Sequence, residues 1–297
     1  MKRSMFLFAI YAFVFMPHLA RAADDSLSIQ AMTYNIRYNN PDDGINAWPN
    51  RSHRVAEMIG TRYHADFAGL QEAKYDQIQD LEKALPDYGW FGAARDDGDK
   101  AGEFCPIFYR KDRFELLKQN TFWLSETPDA AGSKSWNSDC VRIVTWGQFR
   151  DKKSGKIFYH FNTHFDHRSE LARVESAKLI SKKAVEIAGD SPAFLTGDFN
   201  TQEKSQPYSI IVGKESIGDF RSSFQDARYL LKEGKHEGPT STFTMEGWTK
   251  YGAPETKIDF IFILKGFAVL RHRVLDDQFD GRFPSDHLPV LAEIELQ

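Results

Sequence analysis

Six stretches of this 297-residue chain share one pattern: an apolar, strand-like run meets a small cluster of Asn, Asp, Glu or His. Met32-Thr33-Tyr34 leads into Asn35, and Phe67-Ala68-Gly69-Leu70-Gln71 into Glu72. Phe158–Phe161 leads into Asn162-Thr163-His164-Phe165-Asp166-His167, and Ala193-Phe194-Leu195-Thr196 into Gly197-Asp198-Phe199-Asn200. Asp259 opens the run that ends at Leu264, and Ser285-Asp286-His287 precedes Leu288-Pro289-Val290-Leu291. Strand ends hold polar groups rigidly along one edge of a sheet, where a site is best preorganised. Taken singly, a strand-end Asp or Asn is usually a turn residue, and a His beside an apolar run is usually a hydrogen-bonded core residue. Six complementary segments in one chain point instead to sheets that deliver these groups to a shared edge.

Further strands are expected at Leu27–Thr33, Pro106–Tyr109, Phe267–Leu270 and Val290–Ile294. Ile143–Phe149 and Ile157–Phe161 flank Lys152-Lys153-Ser154-Gly155-Lys156 and read as a hairpin. Helices are expected from a Ser52 cap to about His64, over Lys74–Leu85 and over Glu170–Ala188. In the last, Leu171, Val174, Ala177, Ile180, Ala184 and Ile187 recur at helical spacing. Strands and helices mixed without strict alternation predict an α+β sandwich with helices outside the sheets. No repeat or long linker is visible, so residues 23–297 read as one domain. Asn39–Asn50, Arg95–Gly102, Thr127–Asp139 and Lys232–Thr240 are turn-rich and read as surface loops, which often carry substrate selection.

Lys2 and Arg3 precede an apolar run from Met5 to Met16, and Ala20-Arg21-Ala22 follows. That is the order of a signal peptide over residues 1–22. The run is short for a bilayer span. Export to the periplasm or beyond is therefore expected, with no stable membrane span. The formal charge is −4, and cleavage after Ala22 removes three cations and no acid. This argues against a protein that holds polyanions by bulk electrostatics. Cys105 and Cys140 either pair or stand apart as half-buried thiols, and no CxxC spacing suggests zinc.

Carboxylates and amide oxygens favour a hard cation such as Mg²⁺ or Mn²⁺. Histidine and asparagine donate hydrogen bonds to phosphate oxygens, and an aspartate orients or deprotonates water. Together they form an inventory for metal-assisted hydrolysis of a phosphate ester. No GxSxG elbow or GxxxxGK[ST] loop is present to support a serine triad or nucleotide-driven transfer.

At these residues the chain resembles the endonuclease/exonuclease/phosphatase superfamily. That group includes deoxyribonuclease I, apurinic endonucleases, neutral sphingomyelinases, inositol polyphosphate phosphatases and deadenylase catalytic domains. The matches run in the expected order from about Tyr34 to His287, with Gly197-Asp198-Phe199-Asn200 and Ser285-Asp286-His287 the most specific. The resemblance implies a four-layer α/β/β/α sandwich, two packed mixed β-sheets flanked by helices. It implies that Glu72, Asn35 and Asp286 lie at the metal. Asp198 is implied to activate water, with Asn200 holding the water or phosphate. His287, oriented by Asp259, and His164 are implied to contact the phosphate and leaving group, both as protonated donors. Glu103 is implied to pair with His164, and Tyr109 to lie near the phosphate.

Arg37 stands where some nuclease members carry an acid, so one metal ligand is expected to be missing or replaced by water. Leu195-Thr196 departs from the Trp-x-Gly-Asp-x-Asn pattern of inositol phosphatases. Gly-Asp-Phe-Asn-Thr, with Pro207 and Ser209 downstream, leans towards the deadenylase-like branch. Asp166, His167 and Arg168 extend the His164 motif as in a bacterial exported subgroup. With Arg142 they are candidate substrate contacts, or alternatively a salt-bridged strand end. A metallo-β-lactamase-like reading needs a histidine where Asn162 stands. A non-catalytic glycan- or protein-binding module would display Trp48, Trp136 or Trp248. The favoured expectation is a monomeric, exported phosphodiesterase or phosphomonoesterase for a small, lipid- or sugar-linked substrate, with a secreted nuclease as alternative.

Overall fold

The computed structural model describes residues 28–231 and 233–297. The signal-peptide-like segment lies outside the described residues. In chain order the elements are β1 (Ser28–Asn35), α1 (Ser52–Glu57), β2 (Phe67–Gln71), α2 (Tyr75–Ala84), β3 (Tyr88–Phe91), β4 (Ile107–Arg110) and β5 (Phe114–Trp123). Then come β6 (Ile143–Asp151), β7 (Ile157–His164), α3 (Glu170–Ala188), β8 (Ala193–Asp198), α4 (Gln206–Ile211) and β9 (Gln225–Asp226). The chain closes with β10 (Thr244–Met245), β11 (Lys250–Tyr251), β12 (Asp259–Lys265), β13 (Phe267–Val274) and β14 (Val290–Leu296). One sheet has the order β13-β14-β1-β2-β4-β3, the other β5-β6-β7-β8-β12-β9, and β10-β11 forms a small hairpin. Both sheets are mixed: β1 with β2 and β7 with β8 run parallel among antiparallel neighbours.

Three apolar layers follow from side-chain alternation. Phe67, Phe114, Phe149, Phe158, Phe194 and Ile261 pack between the sheets. Tyr34, Leu70 and Phe108 face the other way, onto Val55 of α1 and Ile78 and Leu81 of α2. On the far side Phe161, Leu195, Phe260 and Phe262 meet Val174, Ala177, Ile180 and Ala184 of α3 and Tyr208 of α4. The expected α/β/β/α sandwich is therefore present.

Along each central strand the inter-sheet face changes from aromatic to polar. Phe67, Phe158 and Phe194 come first. His160, Asn162, Thr196 and Gln71 follow, all fully buried. Asn162 Nδ2 crosses to the other sheet and donates to Leu70 O (2.7 Å) and Pro106 O (3.1 Å). Its Oδ1 accepts from Gln71 Nε2 (2.7 Å) and Thr196 Oγ1 (3.0 Å). The sheets approach so closely here that a Cβ on Gly69 would lie 2.2 Å from Thr196 Oγ1. Only glycine fits at that point.

Several local expectations are corrected. Ser52 is the first residue of α1 rather than its cap, and a π turn over Met58–Arg62 carries the helix on. Strand β5 carries little sequence signal, because it is an edge strand with a largely exposed polar sequence. Leu171 is exposed despite its helical spacing. Trp48 is buried, with Nε1 donating to Asp80 (3.0 Å), so it cannot display a binding surface. Cys105 and Cys140 are unpaired.

His160 stacks on Phe194 (ring centroids 4.3 Å) and approaches Thr196 Oγ1 at 2.8 Å. Burial drives its imidazole down from the usual 6.5 to about 3. The folded protein thus binds fewer protons than the unfolded chain between these values. The stability contributed by keeping His160 neutral is complete above about 6.5 and is lost as pH falls towards 3. His160→Phe removes this dependence, while Thr196 Oγ1 keeps the acceptors Phe161 O and Asn162 Oδ1. Urea unfolding at a series of pH values is expected to show wild-type stability falling more steeply on acidification than the variant's. Equal slopes would exclude His160 as a source of acid sensitivity.

Candidate active site

The last inward positions of four strands converge at one end of the sandwich. β1 ends at Asn35, β7 at His164 and β8 at Asp198, while β12 begins at Asp259. The register sets both His164 and Asp259 beside Asp198. Asn35 Nδ2 bridges the sheets, donating to Asp198 Oδ2 (2.9 Å) and Glu72 Oε1 (3.1 Å). Glu72 Oε2 accepts from the Tyr38 amide (3.1 Å). Arg37, Glu72 and Asn200, just beyond β1, β2 and β8, have φ of 55°, 60° and 47°. Such left-handed conformations are uncommon outside glycine and mark constrained turns. Ser285 Oγ donates to Asn35 O (2.7 Å), which anchors the approach to β14 against β1.

The two histidines differ sharply. His287 Nδ1 donates to Asp259 Oδ2 (2.9 Å), and its Nε2 lies 3.8 Å from Asp198 Oδ2. Burial opposes its protonation, but Asp259 and Asp198 outweigh that and hold it protonated well above the usual imidazole range. His164 Nε2 accepts from Asn200 Nδ2 (3.0 Å), whose amide also donates to Phe165 O (3.1 Å). Burial, followed by Arg142 and Arg95, keeps His164 neutral. The expectation of two protonated histidines is thus corrected for His164, although its Nε2 also lies 3.3 Å from Asp198 Oδ2, and Glu103 pairs with Arg95 (2.5 Å) rather than with it. Asp198 is pushed up to about 7 by burial and Asp259, against the pull of His287.

His164, Asp198 and His287 line a cleft of about 470 Å³, together with Glu72, Glu103, Arg142, His167, Asn200 and Asp286. Burial raises the Asp286 carboxyl, His287 opposes the rise and Glu72 adds to it. Two hard carboxylates that repel one another in a cleft are a donor set that suits a divalent cation. Arg37 Nη1 stands 3.8 Å from Asp286 while the guanidinium pairs with Asp43 (3.1 Å). A cation side chain occupies the place where another acid was missing.

Four expected positions are corrected. Tyr109 lies opposite Phe67, at the far end of β2 from Glu72, and packs on Phe149 (5.2 Å). Antiparallel pairing carries it away from the cleft. Asn35 is fully buried, and its Oδ1 accepts from the Arg37 amide (3.0 Å), so it braces two carboxylates beneath the cleft. Asp166 is also fully buried and accepts from Ser138, Asp139, Cys140, Arg168 and Ser169, which makes it the tie between two loops. The Arg168 side chain is 73% exposed and points to Asp139 (3.7 Å). Conversely, Arg95, Tyr38 and Phe243 line the cleft without having been singled out. Arg95 sits in a stretch legible only as a turn-rich loop.

Asp259→Asn is expected to bring the His287 pKa down and leave His164 neutral. Imidazole NMR titration checks this. A His287 value unchanged by the substitution would show that Asp259 does not set its charge.

Comparison with known proteins agrees with this geometry. An endonuclease/exonuclease/phosphatase from Bacteroides vulgatus is 41% identical, covering 91% of this chain and 99% of that one, with a TM-score of 0.81. A mannosyl-6-phosphatase from Bacteroides thetaiotaomicron is 36% identical over 90% of this chain and 99% of that one, also with a TM-score of 0.81. Nocturnin from Drosophila melanogaster is 24% identical over 86% of this chain but 43% of its own length. An uncharacterized protein of Acanthamoeba polyphaga mimivirus is 30% identical, over 53% of this chain and 60% of that one. The chain therefore spans less than two thirds of these two curated relatives. The profile of the Endonuclease/Exonuclease/phosphatase family matches residues 32–287, and the chain belongs to that family of phosphoric ester hydrolases.

Proposed function

We propose that the protein is an exported, divalent-metal-dependent phosphatase acting on a small or sugar-linked phosphomonoester. The convergence of Asp198, Asn200, Asp259–His287 and the Glu72/Asp286 pair at one cleft carries this reading. The mannosyl-6-phosphatase similarity supports a sugar-linked substrate. The signal-like residues 1–22 support export. A nuclease is the second reading, favoured by the similarity to Nocturnin.

In-line attack on phosphorus builds negative charge on the equatorial and leaving oxygens, and preorganised donors stabilise it. Asp198, near neutrality and fixed by Asn35 Nδ2 and by the Asn200 amide (2.9 Å), is suited to take a proton from the attacking water. Protonated His287 donates from Nε2 to a phosphoryl oxygen, while Asp259 fixes its ring. Neutral His164 and the Asn200 amide orient water or phosphate without adding charge. Glu72, braced by Asn35, and Asp286 would hold the cation, and the cation would supply charge neutralisation of the phosphoryl group.

Purified protein is expected to hydrolyse p-nitrophenyl phosphate or sugar phosphates with Mg²⁺ or Mn²⁺ and to lose activity in EDTA. Asp198→Ala and His164→Ala should each lower kcat by about 10²- to 10⁴-fold. Full turnover in either folded variant removes that residue from the mechanism. Preference for DNA or RNA over every monoester would establish the nuclease reading instead.

A further inference from the structure

Arg142 immediately precedes β6 and is 5% exposed. Its Nε and Nη1 have no hydrogen-bond partner among the described residues. Buried donors without partners are rare, and a buried cation without a counter-anion is costly. Asp166 is within ion-pair range but meets only part of that need. Nη2 donates to His167 Nδ1 (3.2 Å), an imidazole nitrogen rather than an anion, and His167 Nε2 faces Asp139 (3.5 Å). Asp166 Oδ2 is 3.9 Å from Nε, beyond hydrogen-bond reach, and already accepts from Ser138 Oγ and the Asp139 and Cys140 amides. Glu103, an acid on the same wall, is engaged by Arg95. The backbone that carries it is fixed, since Arg142 O accepts from Leu124 N (2.8 Å) beside the β5–β6 ladder, and the His167 contact holds the guanidinium end. The side chain borders both the cleft and a small cavity of about 10 Å³ shared with His164, Glu103 and Cys105. Together these observations describe a rigid, under-neutralised cation facing the place where phosphate chemistry is proposed.

We propose that Arg142 is the subsite that reads the terminal phosphate of a phosphomonoester and lets the cleft discriminate monoesters from diesters. This rests on the phosphatase reading above and names the substrate feature that the site selects. A monoester dianion carries one more free, charged oxygen than a diester. A planar guanidinium with unpaired N–H groups matches such an oxygen pair, which a compact ammonium does not. A diester would place a carbon substituent against the same wall.

Two measurements test the assignment. Calorimetric titration of inorganic phosphate into the Mg²⁺-saturated protein compares wild type with Arg142→Gln, Arg142→Lys and Arg271→Gln. Arg271 is a remote exposed arginine paired with Glu237 (2.9 Å). Arg142→Gln should weaken phosphate binding by about 10- to 100-fold, Arg142→Lys by less, and Arg271→Gln negligibly. No phosphate binding by the wild type, or unchanged affinity in folded Arg142→Gln, overturns the proposal. Should Arg142→Gln not fold, unchanged affinity in Arg142→Lys overturns it equally. The second measurement is kcat/KM on p-nitrophenyl and bis-p-nitrophenyl phosphate. The monoester-to-diester ratio should fall by a similar factor in Arg142→Gln, and an equal loss on both substrates overturns the selectivity. If the wild type hydrolyses neither, the phosphatase reading fails while the titration still decides the role of Arg142.

Discussion

The fully buried carboxamide of Asn162 fixes how the two sheets meet. It donates to two carbonyls of the opposite sheet and accepts from Gln71 and Thr196, so donors and acceptor are all used. Purely apolar packing tolerates sliding, because dispersion has little directionality. A satisfied polar network does not, since any slip leaves buried groups unpaired. Gly69 allows the approach that these bonds require. One strand repeat further on, Asn35 reaches Asp198 across the same interface. Without this registration Glu72, Asp286 and His287 at the ends of one sheet and His164, Asp198 and Asp259 of the other would not share a cleft. The metallo-β-lactamase-like reading ends here too, because position 162 is inside the sandwich.

The inter-sheet layer therefore has a direction. Aromatic rings fill one end, neutral hydrogen-bonding groups the middle and ionisable groups the other. Each step of two residues along β7 or β8 moves a side chain along this gradient: Phe158, His160, Asn162 and His164, or Phe194, Thr196 and Asp198. His160 and His164 lie on the same face of the same strand, and both stay neutral. His160 does so through burial alone, His164 through burial joined by two arginines. His287 has carboxylates on two sides and stays protonated. Environment rather than residue type sets the three charge states, which divides labour within one site.

Much of this was legible in the sequence. Alternation within the apolar runs marked the central strands, and Asn35, His164, Asp198 and Asp259 keep the parity of the inward face of their strands. Those rules are local, so Asn35, Glu72, His164, Asp198, Asp259 and His287 could be found from their own segments, and family motifs tied them together. Edge strand β5 was not legible, because one exposed face and few neighbours leave little hydrophobic pattern. Tyr109 was misplaced for another reason: its motif identified the strand but not the direction in which antiparallel pairing carries it.

By itself the sequence determined the sandwich class, the chemical inventory and the strand ends that carry it, since these follow from side-chain period and residue type. Which groups pair was decided only by the tertiary structure. Glu103 belongs to Arg95 rather than His164, Asp166 ties loops instead of meeting substrate, and Arg37 turns to Asp43 and Asp286. Arg142 gains its meaning only in three dimensions, where every nearby carboxylate is already occupied. Charge state and unmet hydrogen-bonding capacity depend on distances between residues far apart in the chain, and no local pattern encodes those distances.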